Sequence, residues 1–215
     1  MAAATIHTYA QTDIAPAPSG EIPLPDPFIA PQSPLQLIPE TQPTAPTVDP
    51  SRNPGGFGDG AVDISYDFDA LPPPVKRMRE LIIEAAKSGD PEQLRALIGT
   101  GADTTRLSFG DIEGDPIEYI RSVSGDAQGH EMLAILQEVM EAGYVRLDAG
   151  LETELYVWPY FFALPLEGLT PVQRVELFKL VTAGDYEDML SFGAYIFFRV
   201  GITPEGKWLF FVAGD

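Results

Sequence analysis

Cysteine is absent from all 215 residues, which removes disulfides, thiolate nucleophiles and zinc–sulfur sites from consideration. Histidine is nearly absent too. His7 and His130 are the only two, so a histidine triad would have to use His130, and no glycine-flanked nucleophile accompanies it. His130 and Glu131 are adjacent and point apart on a helix, which disfavours a shared metal. Basic residues are scarce: 13 Lys and Arg stand against 32 Asp and Glu, for a net charge of −19. The deficit runs through the whole chain, with Arg52 alone against nine acids in residues 1–74 and 12 basic residues against 23 acids in residues 75–215. Phosphate backbones and anionic lipid surfaces would be repelled, so nucleic acid is excluded as a partner, while basic proteins, cationic groups and neutral glycans stay open. Long apolar runs are missing as well. The longest, Leu155 to Leu166, contains Pro159 and Pro165 and is too short to span a bilayer, so no membrane insertion is expected.

Proline divides what is present. Of 21 prolines, 15 fall in residues 1–74 and 6 in residues 75–215. Pro16-Ala17-Pro18, Pro23-Leu24-Pro25-Asp26-Pro27 and Pro72-Pro73-Pro74 favour extended polyproline II backbone without internal hydrogen bonds. Phe28, Leu35, Leu37 and Ile38 are scattered among them with no periodicity that would repay the entropy of folding. Residues 1–74 therefore read as a disordered, acidic, proline-rich tail or linker. Gly55-Gly56-Phe57-Gly58-Asp59-Gly60 looks superficially like a phosphate cradle, but acids surround it and no helix follows, so it reads as a loop. Asp59, Asp63, Asp67 and Asp69 lack the central glycine and terminal glutamate of a calcium loop and read as a solvated acidic linker. Residues 1–12 have neither a basic stretch nor the apolar core of a secretory signal. Met1-Ala2-Ala3-Ala4 ahead of a polar spacer nonetheless fits a cleaved precursor with an added start methionine, a periplasmic reading whose alternative is cytoplasmic.

The remaining residues, about 140, suit one domain with a single core. Val75, Met78, Leu81, Ile82 and Ala85 recur with helical spacing, and Gly89 closes that helix. Asp90-Pro91-Glu92-Gln93, Asp115-Pro116-Ile117-Glu118 and Thr170-Pro171-Val172-Gln173 each place a capping side chain before a proline at the first helical position. Tyr144–Leu147 and Leu155–Trp158 have strand composition around the turn residues Asp148-Ala149-Gly150. A helix from Pro171 to about Thr182 is apolar at Val172, Val175, Leu177, Phe178 and Val181, and a shorter one runs from Asp185 to Phe192 with Asp185 as cap. Ala194–Ile202 and Lys207–Val212 pair as a hairpin through Thr203-Pro204-Glu205-Gly206. The expected fold is α+β: a helical layer over residues 75–143 packed on a small antiparallel sheet within the aromatic-rich residues 144–215.

Ile82 through Gly89-Asp90, with Leu94, Leu97, Ile98 and Gly101-Ala102-Asp103, resembles the two-helix core and glycine turn of an ankyrin repeat. A second echo follows from Gly114 to Gly143, without the family's threonine-proline-leucine-histidine signature. Two such units are too few for a stacked binding array, which implies a helical layer packed on the rest of the chain. Residues 75–215 also resemble uncharacterised alphaproteobacterial envelope-type proteins of unknown function, in Tyr156-Val157-Trp158-Pro159-Tyr160-Phe161, in Thr182 to Met189 and in the Phe211-Val212-Ala213-Gly214-Asp215 ending. That resemblance implies an envelope location and says nothing of activity.

Two groups of residues carry functional expectations. Fourteen of the 22 aromatics lie between Tyr156 and Phe211. Trp158, Tyr160, Tyr186 and Trp208, with polar handles on their rings, are candidates for stacking on a glycan or gripping a protein partner. In the last hairpin both faces are apolar, Trp208 and Phe210 against Leu209 and Phe211. One face must meet the helices, and the other is either covered by the 156–166 segment or open as a binding surface. The carboxylates Asp185, Glu187 and Asp188, with Glu176, are the stock from which a glycosidase-like pair would be drawn. The expectation is a non-enzymatic binding or scaffolding module with no cofactor, metal or catalytic residue, engaging a protein or glycan partner in the envelope. A carbohydrate-active hydrolase using the Asp185–Asp188 carboxylates is the alternative.

Overall fold

The computed structural model describes residues 62–214, and the proline-rich segment and glycine loop expected before residue 62 lie outside them. Within the described residues, five strands pair in sequence order as one antiparallel sheet: β1 (Ile64–Ser65), β2 (Tyr144–Leu147), β3 (Leu155–Trp158), β4 (Arg199–Ile202) and β5 (Trp208–Val212). β2 and β3 occupy the residues that their composition marks. β1 does not follow from the sequence pattern, because Ile64 pairs with Val145 and Ser65 with Tyr144 in a stretch whose acids read as a linker. The domain thus begins about ten residues before Val75. Asp67 caps a 3-10 turn by accepting from the Asp69 and Ala70 amides at 3.1 and 3.2 Å, and Leu71 is buried.

Helix α1 (Pro73–Lys87) and helix α4 (His130–Glu141) form the body of the helical layer. Their apolar residues recur three and four apart, and Val75, Ile82, Ile83 and Ala86 of α1 are buried with Met132, Leu133, Leu136, Val139 and Met140 of α4. Arg79 crosses between them. Its guanidinium donates twice to the Met140 carbonyl, at 3.0 and 2.8 Å, at an end of α4 where carbonyls lack intrahelical partners. Between the two lie α2 (Arg95–Ile98), a single turn preceded by a 3-10 turn, and α3 (Pro116–Ser122), so the first ankyrin-like pair has a much reduced second helix. Asp115 caps α3 by accepting from the Ile117 and Glu118 amides, as its position before Pro116 implies.

Side chains of successive strand residues go to opposite faces of the sheet. Tyr144, Tyr156, Trp158, Val200, Ile202, Trp208 and Phe211 share one hydrophobic cluster with the helical layer. Val145, Leu155, Val157, Phe210 and Val212 share another with the chain from Tyr160 to Phe197. That second layer consists of 3-10 turns over Tyr160–Ala163 and Leu166–Gly168, then α5 (Pro171–Leu180) and α6 (Ala183–Phe192). The sheet is therefore covered on both faces.

Two local devices set the hairpin. Gly206 takes φ +85° in the turn after Pro204, where a side chain would be strained. Ile202 pairs with Trp208 while Gly201 pairs with Phe210, which leaves Leu209 as a bulge. This extra residue places Trp208 with Phe211 and Phe210 with Val212, correcting the simple alternation expected from the sequence. β4 also begins later than expected, since residues 194–198 are outside any strand. The outer edge of β5 is not bare. The Arg106 amide donates to the Leu209 carbonyl at 3.0 Å, the Phe211 amide to the Arg106 carbonyl at 2.8 Å, and the Thr105 hydroxyl to the Trp208 carbonyl at 2.7 Å.

Candidate functional site

The architecture decides first among the four aromatic candidates. Trp158 on β3 and Trp208 on β5 face the helical layer and are 0% and 1% exposed. Trp208 donates its indole N–H to the Phe210 carbonyl at 3.0 Å, and Trp158 packs against Tyr144 with ring centroids 5.2 Å apart. Tyr160, in the 3-10 turn Tyr160–Ala163, is likewise fully buried. None of these three presents a ring face to a partner, because both sheet faces are closed by helices or turns. Tyr186 on α6 is half-buried, donates its hydroxyl to the Leu166 carbonyl at 3.3 Å and meets Phe178 edge-on at 5.6 Å. It alone keeps any part of its ring near solvent.

The carboxylates are distributed rather than gathered. Asp185 is not the cap of α6 but its third residue. Thr182 is the cap, accepting from the Asp185 amide at 3.3 Å while Asp185 accepts from the Thr182 amide and hydroxyl at 2.8 and 2.7 Å. The shared hydroxyl and amide hold the Asp185 carboxyl below its ordinary range. Glu187 and Asp188 are exposed on α6. His130 is exposed at the start of α4 with its Nδ1 3.7 Å from Asp126. Asp126 itself accepts from the Gln128, His130 and Glu131 amides, and these bonds hold its carboxyl far below the usual range. Of the expected acidic cluster near the domain start, Asp67 serves the 3-10 turn and Asp69 pairs with Lys76, while Asp59 lies outside the described residues. Among the described residues no group of three His, Asp or Glu side chains converges as a metal set, and no helix is long and apolar enough to cross a membrane.

Glu176 belongs to a different constellation. It projects inward from α5 and accepts from the Tyr66 hydroxyl at 2.6 Å and the Tyr160 hydroxyl at 3.0 Å, both on Oε2. Oε1 accepts from the Gly143 amide at 3.4 Å. A Cβ on Gly143 would fall 2.9 Å from both tyrosine rings, so this glycine makes room for the cluster. Burial, then the adjacent Tyr66 hydroxyl and Glu176 carboxylate, push the Tyr160 phenol far above its ordinary value. It remains a donor across ordinary pH, and the cluster ties α5 to the sheet.

With Glu176 and Leu177 turned inward, the opposite side of α5 faces solvent. Val172, Val175 and Phe178, at positions i, i+3 and i+6, form a stripe exposed to 78, 68 and 46%. The contact of Phe178 with Tyr186 carries the stripe to α6, whose Phe192 is also exposed. The sequence marks Val172, Val175, Leu177, Phe178 and Val181 as apolar but does not say which are outside. Their spacing held the signal: Leu177 and Val181 are four apart on one side, whereas 172, 175 and 178 step along another. An apolar concavity of about 190 Å³ lies between the helical layer and β5, lined by Leu107, Phe109, Tyr119, Val123, Phe198 and Phe211 among others. No family model, curated protein or solved structure matches the chain.

Proposed function

We propose that the domain is a non-enzymatic binding or scaffolding module and that its contact face is the outer side of α5, extended onto α6 through Tyr186. The observation that carries this reading is the exposure of Val172, Val175 and Phe178 in one stripe. A helix with two apolar sides needs only one of them for folding, and Leu177 on the inner side is fully buried. Contiguous apolar surface on a soluble domain costs solubility and is characteristic of protein-interaction sites. The rigidity of the α5 mount supports the same reading, since the Thr170–Gln173 capping box fixes its start and the Glu176 cluster fixes its middle. An aromatic ring beside two valines suits an apolar protein surface better than a sugar, which calls for flanking hydrogen-bond groups.

The test is a photo-crosslinking amino acid placed at Val175 in the full chain, expressed in its native cells, with the exposed α3 position Glu118 as control. A discrete crosslinked protein at residue 175 and none at 118 is expected. Equal or absent crosslinking at the two positions would count against α5 as the contact face.

A further inference from the structure

The charges beside the α5 stripe go further than its apolar character and select a class of partner, an inference that rests on the contact face proposed above. Arg174 stands four residues before Phe178, and Lys179 four residues after Val175, so both cations lie alongside the stripe. Both are exposed, and neither makes an ion pair among the described residues. At least six of the ten other cations in residues 75–215 are ion-paired within the domain: Lys76 on Asp69, Lys87 on Glu141, Arg95 on Asp115, Arg121 on Glu118, Arg146 on Glu154 and Lys207 on Asp103. The single carboxylate of α5, Glu176, turns away from the stripe toward Tyr66 and Tyr160, whose hydroxyls hold it, and pairs with neither cation. Glu187 and Asp188 on α6 are exposed and pair with neither cation. In a chain of net charge −19, the exposed apolar stripe is thus flanked by the two exposed, unpaired cations Arg174 and Lys179, while the one carboxylate of its helix is engaged toward the sheet.

From this juxtaposition we infer that α5 docks an acidic amphipathic helix of another protein, with apolar residues on Val172, Val175 and Phe178 and carboxylates toward Arg174 and Lys179. Helix-on-helix pairing supplies the matching three- and four-residue spacing on both sides. A second copy of this chain fits poorly, because it would set Arg174 and Lys179 against the same cations. An anionic bilayer fits poorly as well, since two cations work against the negative charge of the whole chain.

The test measures affinity of the full chain, by fluorescence anisotropy, for two synthetic amphipathic helices with identical apolar residues, one flanked by Glu and one by Gln. The Glu helix should bind about fivefold more tightly at low ionic strength, as two exposed ion pairs would give. That preference should fade with salt and vanish in the Arg174→Ala/Lys179→Ala variant. Val175→Glu should abolish binding of both helices. Equal affinity for the two helices would overturn the acidic partner and leave the contact face standing. Binding of neither would overturn the acidic helix, and would overturn the contact face as well if crosslinking at residue 175 also failed. Tighter association with vesicles of anionic lipid, or self-association through α5 in sedimentation, would replace the inference by a membrane or a second copy.

Discussion

The Tyr66 hydroxyl donates to Glu176 Oε2 at 2.6 Å, joining residues 110 positions apart. Through this bond the segment just after β1 holds the helix that carries the exposed stripe. The same carboxylate accepts from the hydroxyl of Tyr160, so α5 is mounted on a polar anchor that is buried at Tyr160 and half open to solvent at Tyr66. Glu176→Gln should weaken this anchor by roughly 1–3 kcal/mol, the range for a hydrogen bond to a charged group left incompletely satisfied. Urea titration checks it. Full stability in the variant would mean that Tyr160 finds another acceptor.

The start of the domain follows from the same relationship. Limited proteolysis should leave a resistant fragment that includes Ile64 and Tyr66, and a fragment starting at Val75 should be less stable than one starting at Val62. It would lack β1, the Tyr66–Glu176 bond and the buried Leu71. Thermal melting of the two fragments decides, and equal midpoints would return residues 62–74 to the linker.

Trp158 and Trp208 should behave as core residues. Replacing either by Ala removes a fully buried ring and is expected to cost about 3–5 kcal/mol of folding free energy. Truncation after Gly206 removes all of β5 and should prevent cooperative folding. Calorimetry on the three proteins would show it. A truncated protein that melted like the parent would make β5 an appendage.

Gly201 faces Phe210 across the bulged pair, and a Cβ there would lie 2.4 Å from the ring. Gly201→Ala should therefore destabilise by about 1–3 kcal/mol through overpacking. Shrinking the opposing ring in Gly201→Ala/Phe210→Leu should recover part of that loss. Failure of the double variant to recover anything would point to backbone strain instead.

Acid should weaken the β2–β3 turn. Glu154 accepts from Arg146 at 2.9 and 2.8 Å, from the Gly150 amide at 2.6 Å and from the Tyr156 hydroxyl at 3.1 Å. The Arg146 guanidinium, then the Gly150 amide, lower its carboxyl to about 2, below the unfolded value of about 4.3. Because the folded value is the lower one, the stabilisation is fully present above the unfolded value and is lost as pH falls toward 2. Melting midpoints followed from neutral pH to pH 2 should fall less steeply for Glu154→Gln than for the parent. Parallel curves would show that the cluster contributes no pH dependence.

Capping chemistry made much of the fold legible. Asp115 before Pro116 and Thr170 before Pro171 with Gln173 mark helix starts that the backbone keeps, and β2 and β3 are as their side chains imply. β1 was hidden because Ile64, Tyr66 and Phe68 alternate with Asp63, Asp67 and Asp69, a charge density that reads as solvated until Val145 and Tyr144 supply the pairing partner. The Leu209 bulge depends on register, which no single strand encodes. The aromatic candidates were misplaced for a related reason. Trp158, Tyr160 and Trp208 are as compatible with a core as with a binding surface, and only tertiary packing decides: the helical layer buries Trp158 and Trp208, and the second layer over residues 160–197 takes in Tyr160. Arg174, Val175 and Lys179 gain their meaning from Glu176, whose inward turn toward two distant tyrosines no local pattern announces.

Val175→Glu, followed by melting and by capture of the protein crosslinked at residue 175, tests the α5 contact face most directly. Val175 is largely exposed, so the expected result is a melting midpoint equal to that of the parent, within the roughly ±0.5 kcal/mol of a neutral surface change, together with loss of capture. A variant that captured its partner undiminished, or that lost it only by unfolding, would contradict the claim that the outer face of α5 is where this domain binds.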